Sequence, residues 1–535
     1  MVYERTLLPM TWADAGYLAP ELILVGMMAL LIVLDLAIPK RIDRAVIGWL
    51  TLASIVGSAA SVALRLGFRY EGDGMQPDVS GILHDSYRFD DFSLLFKMLL
   101  LLSAALIVLW SLGSMKRNAP TRLAHQAEYY YLMLPAVAGA MMMTSTSDLV
   151  TLYAGLELLS IATYVLVGLR ARQAAEGGPD VLSAKPAEAA FKYVVSGGIS
   201  SAFILFGMSY LYGLTGSTHI GEIGGLLPQV AESFRTLLYV AFFFLLAGFG
   251  IKIAAAPFHA WAPDVYEGAP TPVSAFLAVL SKTAAAAALL RLFYNVVFPA
   301  GYSSSYLGRD MFRAVLAVAA CAMLVGTLSA LRQRNMKRLL ALSGVANAGY
   351  LLVPVGLSFY GVHSNNTAEL FFYAAVYLFM NIGAFAVLSV VAESSGPEAE
   401  GELELRALEG LYHRAPWTAG AMIVFVLSLA GLPISGGFFG KLFIMLGASS
   451  SHAYWIVAIM AAASVISYYV YFGIIRQMFM RSSGAGTIRV PIATGIAIWI
   501  CAASTLALGV APGPLLHWFD EVFNLVGDLI IVRNY

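Results

Sequence analysis

Residues 248–277 read GFGIKIAAAPFHAWAPDVYEGAPTPVSAFL, and five residues later comes Lys282. The opening residues close an apolar run long enough to cross a bilayer. That run carries Lys252 and is followed at once by Pro257, Pro263, Gly268, Pro270 and Pro272. A charge in hydrocarbon costs on the order of 3 kcal/mol or more, so an intramembrane lysine marks a functional site by default. Proline removes a backbone donor and breaks a helix. Helices broken at membrane depth lie beside binding or ion sites in transporters. The stretch therefore predicts an interrupted membrane helix with an ammonium group beside the interruption.

The rest of the chain agrees with a bilayer setting. Of 535 residues, 59% are hydrophobic and 12% charged, and the mean hydropathy of +0.77 lies far outside the soluble range. Lys+Arg and Asp+Glu number 32 each, so no net charge points to nucleic acid or an acidic partner. Runs able to cross about 30 Å of hydrocarbon fall near 17–38, 45–66, 91–112, 128–145, 148–169, 187–214, 236–257, 271–297, 310–331, 338–357, 368–392, 417–447, 454–475 and 490–511. The expectation is an all-α polytopic membrane protein of 14 transmembrane helices, the first of them a retained helix rather than a cleaved signal. Basic residues collect on one side, roughly 18 against roughly 6. They include Lys40, Arg41, Arg44, Lys116, Arg117, Arg122, Arg332, Arg334, Lys337 and Arg338. That side is the cytoplasm, which places both termini outside a plasma membrane. Glu393–Gly410 reads as a solvated cytoplasmic loop, and the tail from Pro512 to Tyr535 as interfacial. Cys321 and Cys501 stand alone in apolar runs, so they read as packing residues and support neither a zinc site nor an iron–sulfur cluster.

A second interruption is expected in 417–447, where Gly431, Pro433, Gly436, Gly437 and Gly440 precede Lys441. Two such breaks suggest an internal repeat pairing spans 4 to 8 with spans 9 to 13, in which Lys252 corresponds to Lys441. The division is then 1–127 for helices 1–3, 128–300 for the first repeat, 301–480 for the second, and 481–535 for helix 14 and the tail.

Glu157 falls near the middle of span 5, too short a side chain to reach water. It is read either as a protonated carboxyl bonded to Ser160 or Tyr153, or as the partner of Lys252. Desolvation disfavours the charged form of any ionisable group and an opposite charge favours it. A lysine that pairs and unpairs with Glu157 is thus a switchable proton carrier. Moving one charge across about 150 mV costs roughly 3.5 kcal/mol, a load that such a switch can match. Lys282 and Lys441 lie far from water along their spans. Lys192 has two readings: a proton carrier, or a side chain that snorkels to the surface or pairs with Glu188 at i−4. His259, seven residues after Lys252, is a candidate relay or a satisfied polar residue. Lys97, Arg291, Glu21 and Asp35 lie near span ends and read as snorkelling or subunit contacts.

The quoted stretch resembles the proton-translocating antiporter-like membrane subunits of complex I, the proton-pumping NADH:quinone oxidoreductase. So do YAGLELLSIATYVLVG around Glu157, AAFKYVVSGGISSAFILFGMSYLYG around Lys192, ALRQRNMKRLLALSGVANAGYLLV across Lys337 and Arg338, and SLAGLPISGGFFGKLF ending near Lys441. The form DVYEGAPTPVSAFL is similar to the N-type subunit. Lysine at 441 departs from the M-type, and the short tail from the L-type. The resemblance implies 14 helices with two inverted five-helix repeats and broken helices 7 and 12. It also implies Glu157 and Lys252 as the switch pair, Lys282 as the central connection and Lys441 as the exit-side carrier. Asn347 stands where many relatives carry His or Gln, which argues against a histidine relay there.

No redox cofactor is expected on the chain. The eight histidines (His84, His125, His219, His259, His363, His413, His452 and His517) are nearly all in loops or at helix ends, where they cannot serve a transmembrane haem. The resemblance puts flavin and iron–sulfur clusters on partner subunits, which also handle NADH (or another donor) and quinone. The partners it implies are other membrane-arm subunits, further antiporter-like subunits among them. The competing reading is a cation/proton antiporter of the multisubunit sodium/proton type. It is weakened because a sodium site wants converging carboxylates. A passive scaffold is disfavoured by so many buried ionisable groups.

Overall fold

The computed structural model describes residues 16–39, 43–70, 80–83, 85–114, 125–169, 184–303, 305–358, 365–395, 403–480 and 486–523. The described chain is helical apart from one antiparallel hairpin, Ser80–Ile82 with Tyr87–Phe89. In chain order the helices are α1 (Ala19–Ala37), α2 (Ala45–Tyr70), α3 (Asp91–Ser114), α4 (Gln126–Ser145), α5 (Leu149–Gly168), α6 (Ala184–Thr215) and α7 (Ile220–Val230). Then come α8 (Arg235–Ile253), α9 (Trp261–Gly268), α10 (Thr271–Phe276), α11 (Lys282–Ser303), α12 (Ser305–Ala330), α13 (Met336–Leu357) and α14 (Asn366–Ser395). The last are α15 (Leu411–Arg414), α16 (Pro416–Ala430), α17 (Gly436–Ser450), α18 (Tyr454–Phe479), α19 (Ile492–Val510) and α20 (Pro512–Phe523).

Twelve helices among the described residues are long and apolar enough to cross a membrane. The expected spans at 128–145 and 417–447 are not among them. The first forms α4, which carries Glu128 and the polar hydroxyls of Tyr129, Tyr130 and Tyr131. The second is divided into α16 and α17, each of 15 residues, because the backbone turns back at Gly431. The long run 187–214 is one unbroken helix of 32 residues. Of the tail, Pro512–Phe523 forms α20, whose Phe519 packs edge-on against Phe371 of α14, and residues 524–535 lie outside the described residues. Lys40, Arg41, Lys116, Arg117 and Arg122 lie outside the described residues.

Burial sorts the helices into a core and a shell. Residues 271–297, α13 and α14 are enclosed by the rest of the chain, whereas α1 buries only Pro20, Glu21, Leu24 and Leu31, and most of α18 is uncovered. Exposed Val33, Leu36, Val465 and Tyr469 give these outer helices apolar faces suited to lipid.

The two breaks share one local geometry. α8 ends at Ala254 (φ +56) and α16 at Gly431 (φ +80), both left-handed. In each, the next N–H reaches back five residues, Ala255 to Gly250 O at 2.9 Å and Leu432 to Leu427 O at 3.0 Å. This is the Schellman closure that satisfies helix-end carbonyls. The two lysines, however, lie on opposite halves. Lys252 is in the last turn before its break, and Lys441 follows its own, so the expected correspondence does not hold at the level of position.

Candidate functional site

Lys252 is only 7% exposed. Its ammonium donates to Ser160 Oγ at 2.6 Å and lies 5.7 Å above the Tyr164 ring. The Ser160 hydroxyl is itself committed as a donor to Leu156 O at 2.5 Å, leaving a lone pair for the lysine. Glu157, on the same helix α5, is half-buried, and its Oε1 meets no hydrogen-bond partner. The expected Glu157–Lys252 contact is thus open in this structure, and Ser160 takes the ammonium instead.

Past the break, Trp261 Nε1 donates to Ile251 O at 2.9 Å and pins α9 to α8. His259 lies between them with a buried, unpartnered Nδ1, within electrostatic reach of Lys282. One π-helical turn, Leu277–Ser281, then delivers Lys282, and such turns recur at functional sites. Lys282 is 1% exposed and its ammonium has no hydrogen-bonding protein partner. It lies against Gly344 of α13, where a Cβ would come within 2.7 Å of Nζ and 3.1 Å of the Tyr377 hydroxyl.

Lys441, 5% exposed, sends its ammonium back across the second break to Leu429 O (2.8 Å) and Ala430 O (3.4 Å). These are the last carbonyls of α16, where unpaired oxygens and the helix dipole favour a cation. Tyr350 presents its ring at 4.8 Å. Lys441 lines a small cavity with Thr327, Ser343, Asn347, Tyr350 and Tyr471. Polar contacts run along one wall of it. Tyr373 Oη donates to Asn347 Oδ1 (2.7 Å), Asn347 Nδ2 to Ser343 Oγ (3.3 Å), and Ser343 meets Tyr471 Oη at 2.5 Å. Asn347 is thus the hydrogen-bonded link between Tyr373 and Ser343 beside Lys441, and neither Lys282 Nζ nor Tyr377 Oη joins it.

Lys192 is not deep: its side chain is 40% exposed and paired with Glu188 at 2.7 Å and Asp264 at 2.6 Å. The acidic partner was legible in PDVYEG, where Asp264 and Glu267 stand at i and i+3 on one face of α9, but its pairing was not. Arg338 of α13 bonds both, Asp264 at 2.6 Å and Glu267 at 2.8 Å, and Lys185 lies 3.7 Å from Glu267. Lys337, counted from sequence among loop residues, is fully buried and donates to Ala269 O at 2.7 Å.

The residues expected to snorkel divide. Lys97 is 0% exposed, paired with Glu21 at 2.8 Å, and Glu21 also accepts from Tyr87 Oη at 2.7 Å. Arg291 is paired with fully buried Asp90. Both bonds tie the N-terminal helices and hairpin into the core, so these side chains turn inward. Asp35 pairs with Arg44 at 3.0 Å near the surface.

Over residues 146–467 the chain matches the family described as NADH:quinone oxidoreductase/Mrp antiporter, transmembrane. It is 56% identical over 532 residues to NADH-quinone oxidoreductase subunit N of a Paenibacillus species, which covers 98% of this chain and 99% of that one. A chain of respiratory complex I from Thermus thermophilus with bound aureothin is 31% identical with a TM-score of 0.72, covering 93% of this chain and 98% of that one. A chain of the Mrp complex from a Dietzia species gives a TM-score of 0.77 over 96% of this chain and 100% of its own, at 19% identity, a likeness of fold alone.

Proposed function

The chain belongs to the NADH:quinone oxidoreductase/Mrp antiporter membrane family, and from that premise we propose that it is a proton-translocating membrane-arm subunit of an NADH:quinone oxidoreductase, of the N type. The observation that carries this reading is the set of three buried ammonium groups, Lys252, Lys282 and Lys441, two of them at helix breaks and one after a π-helical turn. Near-full-length identity of 56% to a subunit N favours it over the sodium/proton antiporter alternative, for which the support is the shared family and fold likeness at 19% identity.

In this reading Glu157 and Lys252 form the switch pair, and the Ser160-bound state seen here is its open form. Lys192 loads from the cytoplasmic side, His259 relays, Lys282 connects, and Lys441 is the exit-side carrier. The chain acts as one subunit of a translocase. Flavin, iron–sulfur clusters, NADH and quinone belong to partner subunits, and further antiporter-like subunits lie beside it in the plasma membrane. The proposed topology has 14 helices, both termini outside, and two inverted five-helix repeats at 128–300 and 301–480, flanked by 1–127 and 481–535.

Proton uptake per NADH oxidised, measured in inverted membrane vesicles carrying Lys252→Ala or Lys441→Ala, tests the proposal. A lowered ratio is expected. An unchanged ratio overturns it, and sodium flux through the isolated chain would favour the antiporter instead.

A further inference from the structure

Asp264 is shared. Its Oδ2 faces Lys192 Nζ at 2.6 Å, its Oδ1 faces Arg338 Nη1 at 2.6 Å, and that same Nη1 reaches Glu267 Oε2 at 2.8 Å. Beside it Lys337 holds Ala269 O, the residue that closes α9. The first turn of α13 therefore grips the half-helix after the first break at three points. The side-chain cluster contains three cations, Lys185, Lys192 and Arg338, and three carboxylates, Glu188, Asp264 and Glu267.

Arginine keeps its charge in proteins, whereas lysine can lose it. Lys192 and Lys185 are equally exposed, and Lys192 is the one that meets two carboxylates, Glu188 and the Asp264 shared with Arg338. With Lys192 neutral the cluster carries one anion in excess, and Asp264 is left to Arg338 alone. The α9–α13 contact then tightens. Gly344, Asn347 and Tyr350 follow Arg338 on α13 by about 9, 14 and 18 Å at 1.5 Å per residue. They form walls of the Lys282 and Lys441 sites. The helix that feels the charge on Lys192 is thus the one that borders the other two carriers.

We propose that Arg338 is a positioning residue for proton transfer: it is the fixed counter-charge that holds Asp264 against Lys192 and links the charge state of Lys192 to α13. The inference rests on the proton-carrier reading above and adds to it a side chain that joins the two halves of the chain.

The test uses the assembled complex in inverted membrane vesicles and reads protons taken up per NADH oxidised. Arg338→Gln should lower the ratio about twofold or more, and Arg338→Lys should retain most of it. The double variant Arg338→Gln/Lys192→Ala should fall no further than Lys192→Ala. A clamp with no part in proton transfer would reduce the amount of complex and leave the ratio intact, which overturns the inference, as does an additive loss in the double variant. If Arg338→Gln prevents assembly, Asp264→Asn, which keeps the shape of the side chain, should lower the ratio, and a wild-type ratio there overturns the inference equally. Lys282→Ala and Lys441→Ala separate the two levels. Normal pumping in both removes the carrier reading itself, whereas loss in both with a normal ratio in Arg338→Gln removes only the role of Arg338.

Discussion

The Lys252 ammonium donates to the Ser160 hydroxyl at 2.6 Å, three residues along α5 from Glu157, whose Oε1 is buried and unpartnered. Serine and glutamate are thus rival acceptors on one helix face. A hydrogen bond to a charged group contributes about 1.5–3 kcal/mol. Ser160→Ala should therefore shift Lys252 towards Glu157 and slow proton uptake without abolishing it, while Glu157→Gln should cost more. Dye-quench measurements at matched NADH oxidation check this, and wild-type uptake in Ser160→Ala would remove the hydroxyl from the switch.

Lys441→Arg separates charge from proton exchange. The guanidinium still answers the Leu429 and Ala430 carbonyls but does not give up its proton. The variant should assemble to near wild-type levels and lose most proton uptake, as judged by native gels beside vesicle assays. Retained pumping in that variant would show that Lys441 acts by charge alone.

Two glycines predict opposite failures. At Gly437 a Cβ would lie 1.9 Å from the Ser428 carbonyl oxygen, a backbone atom that cannot yield. At Gly344 it would meet the flexible end of Lys282 at 2.7 Å. Gly437→Ala should reduce the amount of chain in the membrane, and Gly344→Ala should leave that amount near normal while lowering protons per NADH.

The Glu21–Lys97 pair predicts non-additive stability. Removing one member of a buried ion pair strands the other at a cost of about 3–5 kcal/mol, whereas removing both can be nearly neutral. Lys97→Met should thus deplete the complex, and Glu21→Gln/Lys97→Met should recover much of it. Immunoblots of washed membranes read the outcome, and equal depletion in both variants would count against the pair.

Sequence reading found Lys252, Lys282 and Lys441 because each is a lone charge inside an apolar window, a contrast visible within twenty residues. It could not find the pairings. Arg291 meets Asp90 from 201 positions away, and Arg338 meets Asp264 from 74, so tertiary packing alone brings them together. Lys337 was misplaced for a related reason. A basic residue at the start of a helix normally faces water, but here a carbonyl of another helix turns it inward. The π-helical turn before Lys282 leaves no residue pattern by which to see it. Both breaks announced themselves through proline and glycine, yet Ala254 adopts its left-handed backbone without either.

With one buried lysine ahead of its helix break and the other behind it, the two interruptions differ in placement despite their common closure. A tilt of only the trailing segment would carry Lys441 bodily and leave Lys252 in place. The two interrupted segments are therefore not exchangeable, and grafting residues 248–268 over 427–447 would put an ammonium on the other side of the break.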